Sequence, residues 1–420
     1  MERKPGILKV FLTACLKIDL SIKEKQAVRA CCFIFRQALI LSLILNIFLV
    51  LYQSSSFRIR LRFVAYYLLG FEPPGKIPSF QNDLLLSSFE PVSMLDNRDK
   101  RLNKLAKYPV FEAHGHLGKF FKTEPEKFFK QLDELNIQGF ANLNFQTGEE
   151  FLNLQNEYKD NRMFFFAGFN WEHLKKKEKN YVSLMLSDLR ADIKNGAKGI
   201  KLWKNFGLNL KDLNGNRLHI DEPSLKPLFE ECEKEKLIVA IHTVDPPSFF
   251  LPIDETNERY PELIRRPEWS FTGTDFPSRE TVIQERNALF KRHPGLRFIA
   301  VHMAASGHNL EEVSFLLDNF PNVYVDIAAR IDELGRQPYT SRRFFTKYQD
   351  RILFGTDGPP DRKKLEIYTR FLETKDEYFD YFPSHKPRKG FWKIHGIGLE
   401  EEVLKKLYYE NAMNLFKLRN

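Results

Sequence analysis

The sequence predicts an α/β protein, a (β/α)8 TIM-type barrel preceded by an N-terminal hydrophobic helix and a lead-in segment. Three observations carry this. Short apolar runs alternate with helix-period stretches eight times over about 300 residues. Neither a Gly-rich dinucleotide fingerprint nor a Walker loop follows any of these runs, as an open doubly wound sheet would favour. Five of the runs also end in a side chain able to bind a metal or move a proton, and barrels gather their chemistry at the C-terminal ends of their strands.

In chain order, residues 1–32 form a basic N-terminal segment. Residues 33–52 read FIFRQALILSLILNIFLVLY, a Leu/Ile-rich run with no polar face, expected to be a membrane anchor or signal segment. Up to residue 52 there are eight Lys and Arg against three acidic residues, a net charge of +5 out of +9 for the chain. The positive-inside bias then places the N-terminus in the cytoplasm and the body across the membrane. The body is only mildly basic and carries no recognisable nucleic-acid reader, so nucleic acid is not an expected partner. Cysteine usage does not fix the compartment, because only Cys232 lies in the body.

Residues 53–107, with Pro73-Pro74-Gly75 and a charged run from Asp96 to Lys107, are expected to be a linker and lead-in. The catalytic barrel is expected over residues 108–420. Its predicted strands are Pro109–Ala113, Gln138–Leu143, Met163–Phe169, Gly199–Leu202, Leu237–Ile241, Leu296–Val301, Val323–Ile327 and Arg351–Phe354. Helix-period stretches between them include Pro125–Leu135, Tyr181–Ile193, Ser224–Glu235, Arg279–Lys291, Leu310–Asn319 and Asp361–Leu372. A last helix, Leu399–Leu418, is expected to complete the outer layer. The longest interruption, Thr243–Ser278, follows strand five, and connections of that length are usually functional.

The strand ends supply the candidate chemistry. In Glu112-Ala113-His114-Gly115-His116, alternation along a strand points both imidazoles to one side, half of a metal site. Lys201 ends strand four, His242 strand five and His302 strand six, and Asp357 follows strand eight. Four imidazoles and a carboxylate suit one or two divalent first-row metals, zinc by default. Taken singly, each residue has a plainer reading: a hydrogen-bonded buried histidine, a helix N-cap at Asp357, a surface lysine at Lys201. It is their joint occurrence at one face that favours the site. His173, His219, His293, His308, His385 and His395 are read as loop or helix-end residues. For substrate, Lys204, Arg330 and Trp203 are candidates, the cations suiting an anion and the indole an apolar body. Arg265 and Arg266, by contrast, are read as partners of Glu262 or Glu268.

The ordered segments EAHGHL, GIKLWK, IVAIHT, FIAVHM and LFGTDG, with LYYENA and Leu415-Phe416 near the end, resemble the amidohydrolase superfamily of metal-dependent barrels. They are similar specifically to its amidohydrolase-related branch, which includes decarboxylases, hydratases and lactone hydrolases. Glu112 departs from that branch, which commonly has Asp there; by alternation its carboxylate would support the two histidine ligands. The resemblance implies one metal held by His114, His116, His242 and Asp357, with Asp357 and His302 catalytic. In binuclear members His302 and a carboxylated lysine at the position of Lys201 would serve a second metal. One zinc is the favoured reading. The expected function is hydrolysis of an ester, lactone or amide bond in a small carboxylated substrate. A decarboxylase or hydratase is the alternative, and a catalytically silent, membrane-tethered barrel the second.

Overall fold

Runs rich in Val, Ile, Phe and Ala can be buried on both faces, as the strands of an all-parallel sheet must be. A computed structural model describes residues 33–46, 94–95, 105–118, 121, 123–273, 275–383 and 389–417. It divides the chain into two units, Met1–Glu90 and Pro91–Asn420. In the second, eight parallel strands follow one another around the sheet in sequence order: β1 Val110–Gly115, β2 Ile137–Asn142, β3 Met163–Ala167, β4 Gly199–Leu202, β5 Ile238–Ile241, β6 Arg297–Ala300, β7 Val323–Asp326 and β8 Ile352–Leu353. Backbone bonds from β1 to the segment after β8 bring the barrel close to closure. Ala113 N–H donates to Phe354 O at 2.9 Å, and Gly115 bridges Gly358 in parallel.

A helix follows each strand: α1 Pro125–Glu134, α2 Gly148–Glu157, α3 Tyr181–Lys194, α4 Lys226–Lys234, α5 Arg279–Arg292, α6 Leu310–Asn319, α7 Pro338–Lys347 and α8 Arg362–Glu373. Their apolar positions recur at helical spacing, as with buried Phe128 and Leu132 on α1. Side-chain N-caps fix several starts: Ser278 accepts from Thr281 N–H, Asn309 from Glu312 N–H and Asp361 from Lys364 N–H. Among its described residues, the long connection after β5 holds only single turns, Pro247–Phe250, Tyr260–Leu263 and Pro267–Trp269.

The chain's end departs from expectation. It is helical in three consecutive pieces, Glu401–Lys405, a widened π turn Lys406–Glu410, and Asn411–Lys417. It does not simply complete the outer layer, because Leu415 and Phe416 belong to the barrel's interior cluster. The Phe416 ring packs on Phe111, Phe164 and Phe166 at 5.0, 5.3 and 5.9 Å. The small interior residues Ala113, Ala141 and Ala240 in the same cluster leave room for that plug.

In the first unit, residues 33–46 are helical and exposed. Among the described residues no helix is long and apolar enough to cross a membrane. Residues 47–52 of the expected anchor, residues 1–32, and nearly all of the lead-in up to residue 104 lie outside the described residues.

Candidate active site

At the open end of the barrel, the β1 and β8 termini are zipped together. Asp357 N–H donates to His114 O at 2.9 Å and His116 N–H donates to Gly358 O at 3.1 Å. Asp357 takes a left-handed backbone, φ +61°. Gly115 separates the two histidines because a Cβ there would meet the Phe140 ring at 2.1 Å. With this backbone, Asp357 Oδ1 lies 3.2 Å from His116 Nε2 and 3.6 Å from His114 Nε2. The two sequence ends of the predicted set thus meet.

The far ring nitrogens are held from behind. His114 Nδ1 is 2.8 Å from Asp326 Oδ2, and His116 Nδ1 is 2.8 Å from Asn144 Oδ1. A proton on each Nδ1 satisfies both contacts and leaves each Nε2 lone pair facing Asp357. Asp326 also accepts from the backbone N–H of His302 at 2.8 Å and of Ala328 at 3.1 Å, so one carboxylate ties β1, β6 and β7 together. Asn144 is itself fixed by donating to Leu117 O at 2.9 Å.

Lys201, His242 and His302 close the other side. Lys201 Nζ is 3.2 Å from His114 Nε2. The His302 ring lies 4.6 Å from those of His114 and His242. His302 Nδ1 donates to Ala328 O at 2.8 Å, which makes its Nε2 an acceptor. Both ring nitrogens of His242 are buried without a well-formed hydrogen bond among the described residues, and Nε2 has only Asp245 Oδ1 at 3.4 Å. Buried polar atoms are rarely left so, and a buried imidazole nitrogen without a hydrogen bond beside such a cluster is what a metal ligand looks like without its ion. His114, His116 and Asp357 lie close enough together to hold one cation, as do His114, His302 and Asp326. The donor set therefore fits a divalent first-row metal.

Burial sets the electrostatics. It holds the imidazoles of His114 and His302 well below their usual range, and pushes His242 down to about 4 against the pull of Asp245. These rings are neutral near pH 7, with lone pairs free for a ligand role. Burial also lowers Lys201 to about 8, partly opposed by Asp326 and Asp357. It works to raise Asp357, yet the neighbouring His116, His302 and His114 hold that carboxyl well below its usual range.

The predicted substrate residues all line one cavity of about 420 Å³ above this cluster. Trp203 packs edge-on against His242 at 5.0 Å. Lys204 is ion-paired with Asp245 and surrounded by Trp203, Phe249, Trp269 and Phe271 at 5.2–6.0 Å. Arg330 donates to Ala329 O at 2.9 Å, while its buried Nε makes no hydrogen bond among the described residues and is ion-paired with Glu333 Oε2 at 3.8 Å. The plainer readings hold elsewhere: Arg266 pairs with Glu268, and His173 pairs with Glu178 and Asp188.

Glu112 does something other than support the histidine rings. Register shifts along β1 between Glu112 and Gly115 break strict alternation. Its carboxylate instead accepts from His114 N–H at 3.1 Å and Thr356 N–H at 2.9 Å, stitching β1 to the segment after β8. Burial raises it to about 7.

Sequence reasoning overlooked Asp326, Asn144 and Asp245. Each had a signal. Val-Tyr-Val-Asp ends strand seven as the other predicted ligands end theirs, Asn144 follows strand two, and Asp245 lies three positions beyond His242. Asp245 is buried, which would raise its pKa, but Lys204 and His242 hold it well below the carboxylate range.

Among solved structures, the chain is similar to a 2,6-dihydroxybenzoate decarboxylase from Rhizobium, at 16% identity over 74% of this chain and 98% of that one, with a TM-score of 0.44. A dihydroxybenzoic acid decarboxylase from Polaromonas sp., solved with bound manganese, is 16% identical over 70% and 86%, TM-score 0.44. An uncharacterised TIM-barrel protein from Bordetella bronchiseptica is 14% identical over 70% and 82%, TM-score 0.44. Likenesses this distant choose no reaction. No curated protein matches the sequence. The amidohydrolase family profile, however, matches residues 180–418, more than half of the chain and the span that supplies Lys201, His242, His302 and Asp357. The chain belongs to the amidohydrolase family of metal-dependent enzymes.

Proposed function

We infer that this barrel is a metal-dependent hydrolase that cleaves an ester, lactone or amide bond in a small carboxylated substrate. The observation that carries the reading is Asp357, ionised and facing both Nε2 atoms of the histidine pair, so that at neutral pH it accepts a proton rather than donating one. His114, His116, His242 and Asp357 would hold one zinc or another divalent first-row metal. Bound there, the metal would supply Lewis-acid polarisation and make water a better nucleophile near neutral pH. Asp357 then takes the proton of the attacking water and passes it to the leaving oxygen or nitrogen. Lys201, cationic below about 8, donates to the developing oxyanion. His302, whose Nδ1 proton is committed to Ala328 O, presents an acceptor and orients the water or serves a second metal. Arg330, which lines the cavity, meets the substrate carboxylate, and Trp203 lies against its body.

A second reading, non-oxidative decarboxylation or hydration, is favoured by the cavity wall, where Phe249, Trp269 and Trp203 surround an apolar body and Arg330 and Lys389 offer cations. One experiment separates the two. The zinc-loaded protein is presented with carboxylated lactones, esters and amides and with carboxylated aromatic rings, while proton release and carbon dioxide release are recorded together. Ester or lactone hydrolysis releases a proton and amide hydrolysis releases an amine, neither with carbon dioxide, and carbon dioxide release would replace this reading with the second.

For the leader, we infer that residues 33–52 tether the protein to a membrane, with the N-terminus cytoplasmic and the barrel beyond it. The apolar, exposed helix at residues 33–46 supports this. Carbonate extraction and protease protection of the full chain test it; release by carbonate would refute it.

A further inference from the structure

After β6 the chain does something its sequence does not invite. His302, Met303, Ala304 and Ala305 take φ of +59°, +54°, +55° and +63°, four successive residues in the left-handed region with no glycine or asparagine among them. L-residues visit this region singly and at a cost. The turn's own bonds, Ala305 N–H to His302 O and Ser306 N–H to Met303 O, both at 2.9 Å, are those of a short left-handed turn.

We propose that Arg286 and Arg279, both on α5, are positioning residues that hold this turn left-handed and thereby aim the His302 ring between His114 and His242. Arg286 Nη1 donates to Ala304 O at 2.8 Å. Arg279 Nη2 donates to Ala305 O at 2.9 Å and to Ser306 Oγ at 2.7 Å. The other end of the turn is fixed by Asp326, which accepts from His302 N–H. Arg286 is 1% exposed, and its remaining hydrogen bonds go to Asn287 Oδ1 at 3.2 and 3.0 Å, with no ion pair among the described residues. A buried cation without a paired anion is costly where an apolar side chain would fill the same space. Its retention makes sense if the carbonyls of the strained turn need a strong donor. Were the clamp absent, residues 302–305 would relax toward ordinary backbone and the imidazole would leave its place 4.6 Å from each neighbouring ring. The inference concerns His302's placement and holds for either reaction.

The test uses glycine, which accepts positive φ unaided. Histidine side-chain NMR of the full chain, labelled at histidine and loaded with zinc, follows the His302 resonance, assigned with His302→Asn. In Arg286→Met the resonance shifts or broadens, and adding Ala305→Gly returns it to the wild-type position. An unmoved resonance in Arg286→Met, or a glycine that fails to restore it, overturns the proposal. Zinc content is measured in parallel: its absence from the wild type would overturn the metal-site reading while leaving the comparison of resonances intact. If Arg286→Met does not fold, Ala304→Gly alone decides. The strained turn predicts a higher thermal midpoint, on the order of 2 °C. A lowered midpoint, as glycine gives in unstrained backbone, overturns the proposal.

Discussion

Replacing Asp326 with Asn perturbs the metal site without touching any proposed ligand. The asparagine oxygen can still accept from the backbone N–H groups of His302 and Ala328, so the β6 and β7 ends keep their connection. Its amide nitrogen then faces His114 Nδ1 at the position where Asp326 Oδ2 now lies, 2.8 Å away. Two donors cannot face each other there. The imidazole must lose its Nδ1 proton and carry it on Nε2, the atom 3.6 Å from Asp357 Oδ1, where a ligand needs a lone pair. Loss of such a supporting carboxylate typically weakens metal binding about 10–100-fold, or roughly 1.4–2.7 kcal/mol. The assay is competition for zinc against a fluorescent chelator, with far-UV circular dichroism confirming an intact fold. A folded variant that binds zinc within about twofold of the wild type would refute the orientation argument.

Other expectations follow from the same geometry. Lys201→Ala should keep metal content at about one per chain while the rate falls roughly 10²–10³-fold, as expected for a lost oxyanion donor; a fall from two metals to one would show a bridged pair instead. Phe416→Ala should destabilise the barrel by about 3–5 kcal/mol, lowering Tm on the order of 10 °C, yet leave zinc affinity unchanged because the plug packs among Phe111, Phe164 and Phe166. For His173, burial works to lower the pKa, but Asp188 and Glu178 outweigh it and the net shift is upward. Its contribution to stability is therefore full below the unfolded value near ~6.5 and lost as pH rises through the raised one. The stability gap between wild type and His173→Gln, measured by denaturant titration, should shrink over that interval, and a gap that widens with pH would contradict the pairing.

Much of the fold was legible because the signal was periodic. Strand Gly199–Leu202 and helix Leu310–Asn319 have the predicted bounds, and other predicted strands lie within two residues of the observed ones. The ends of β8 were harder, since Phe354 to Asp357 leave the ladder to bond β1. The proposed ligands announced themselves where a histidine or aspartate ended an apolar run. Their supports did not. Asp326 acts through three hydrogen bonds to groups on β1, β6 and β7, and nothing local in Val-Tyr-Val-Asp distinguishes it from a strand's last polar residue. Glu112 misled alternation because the register of β1 shifts beside it. The left-handed run at residues 302–305 has no glycine to announce it, and the arginines that meet it lie 18 to 26 positions upstream. The C-terminal plug was invisible for a related reason. Helical periodicity gives a helix its face but not the surface it covers.

The central claim is that His114, His116, His242 and Asp357 converge on one cation. The most direct measurement is an anomalous-difference map from crystals of the full chain, collected above and below the zinc absorption edge. The account predicts a peak roughly 2.0–2.2 Å from His114 Nε2 and His116 Nε2, with Asp357 and a nitrogen of His242 completing the ligands. A well-ordered barrel with no peak there after zinc soaking, or with zinc only at the exposed His219 and Asp221 beside Glu285, would contradict it.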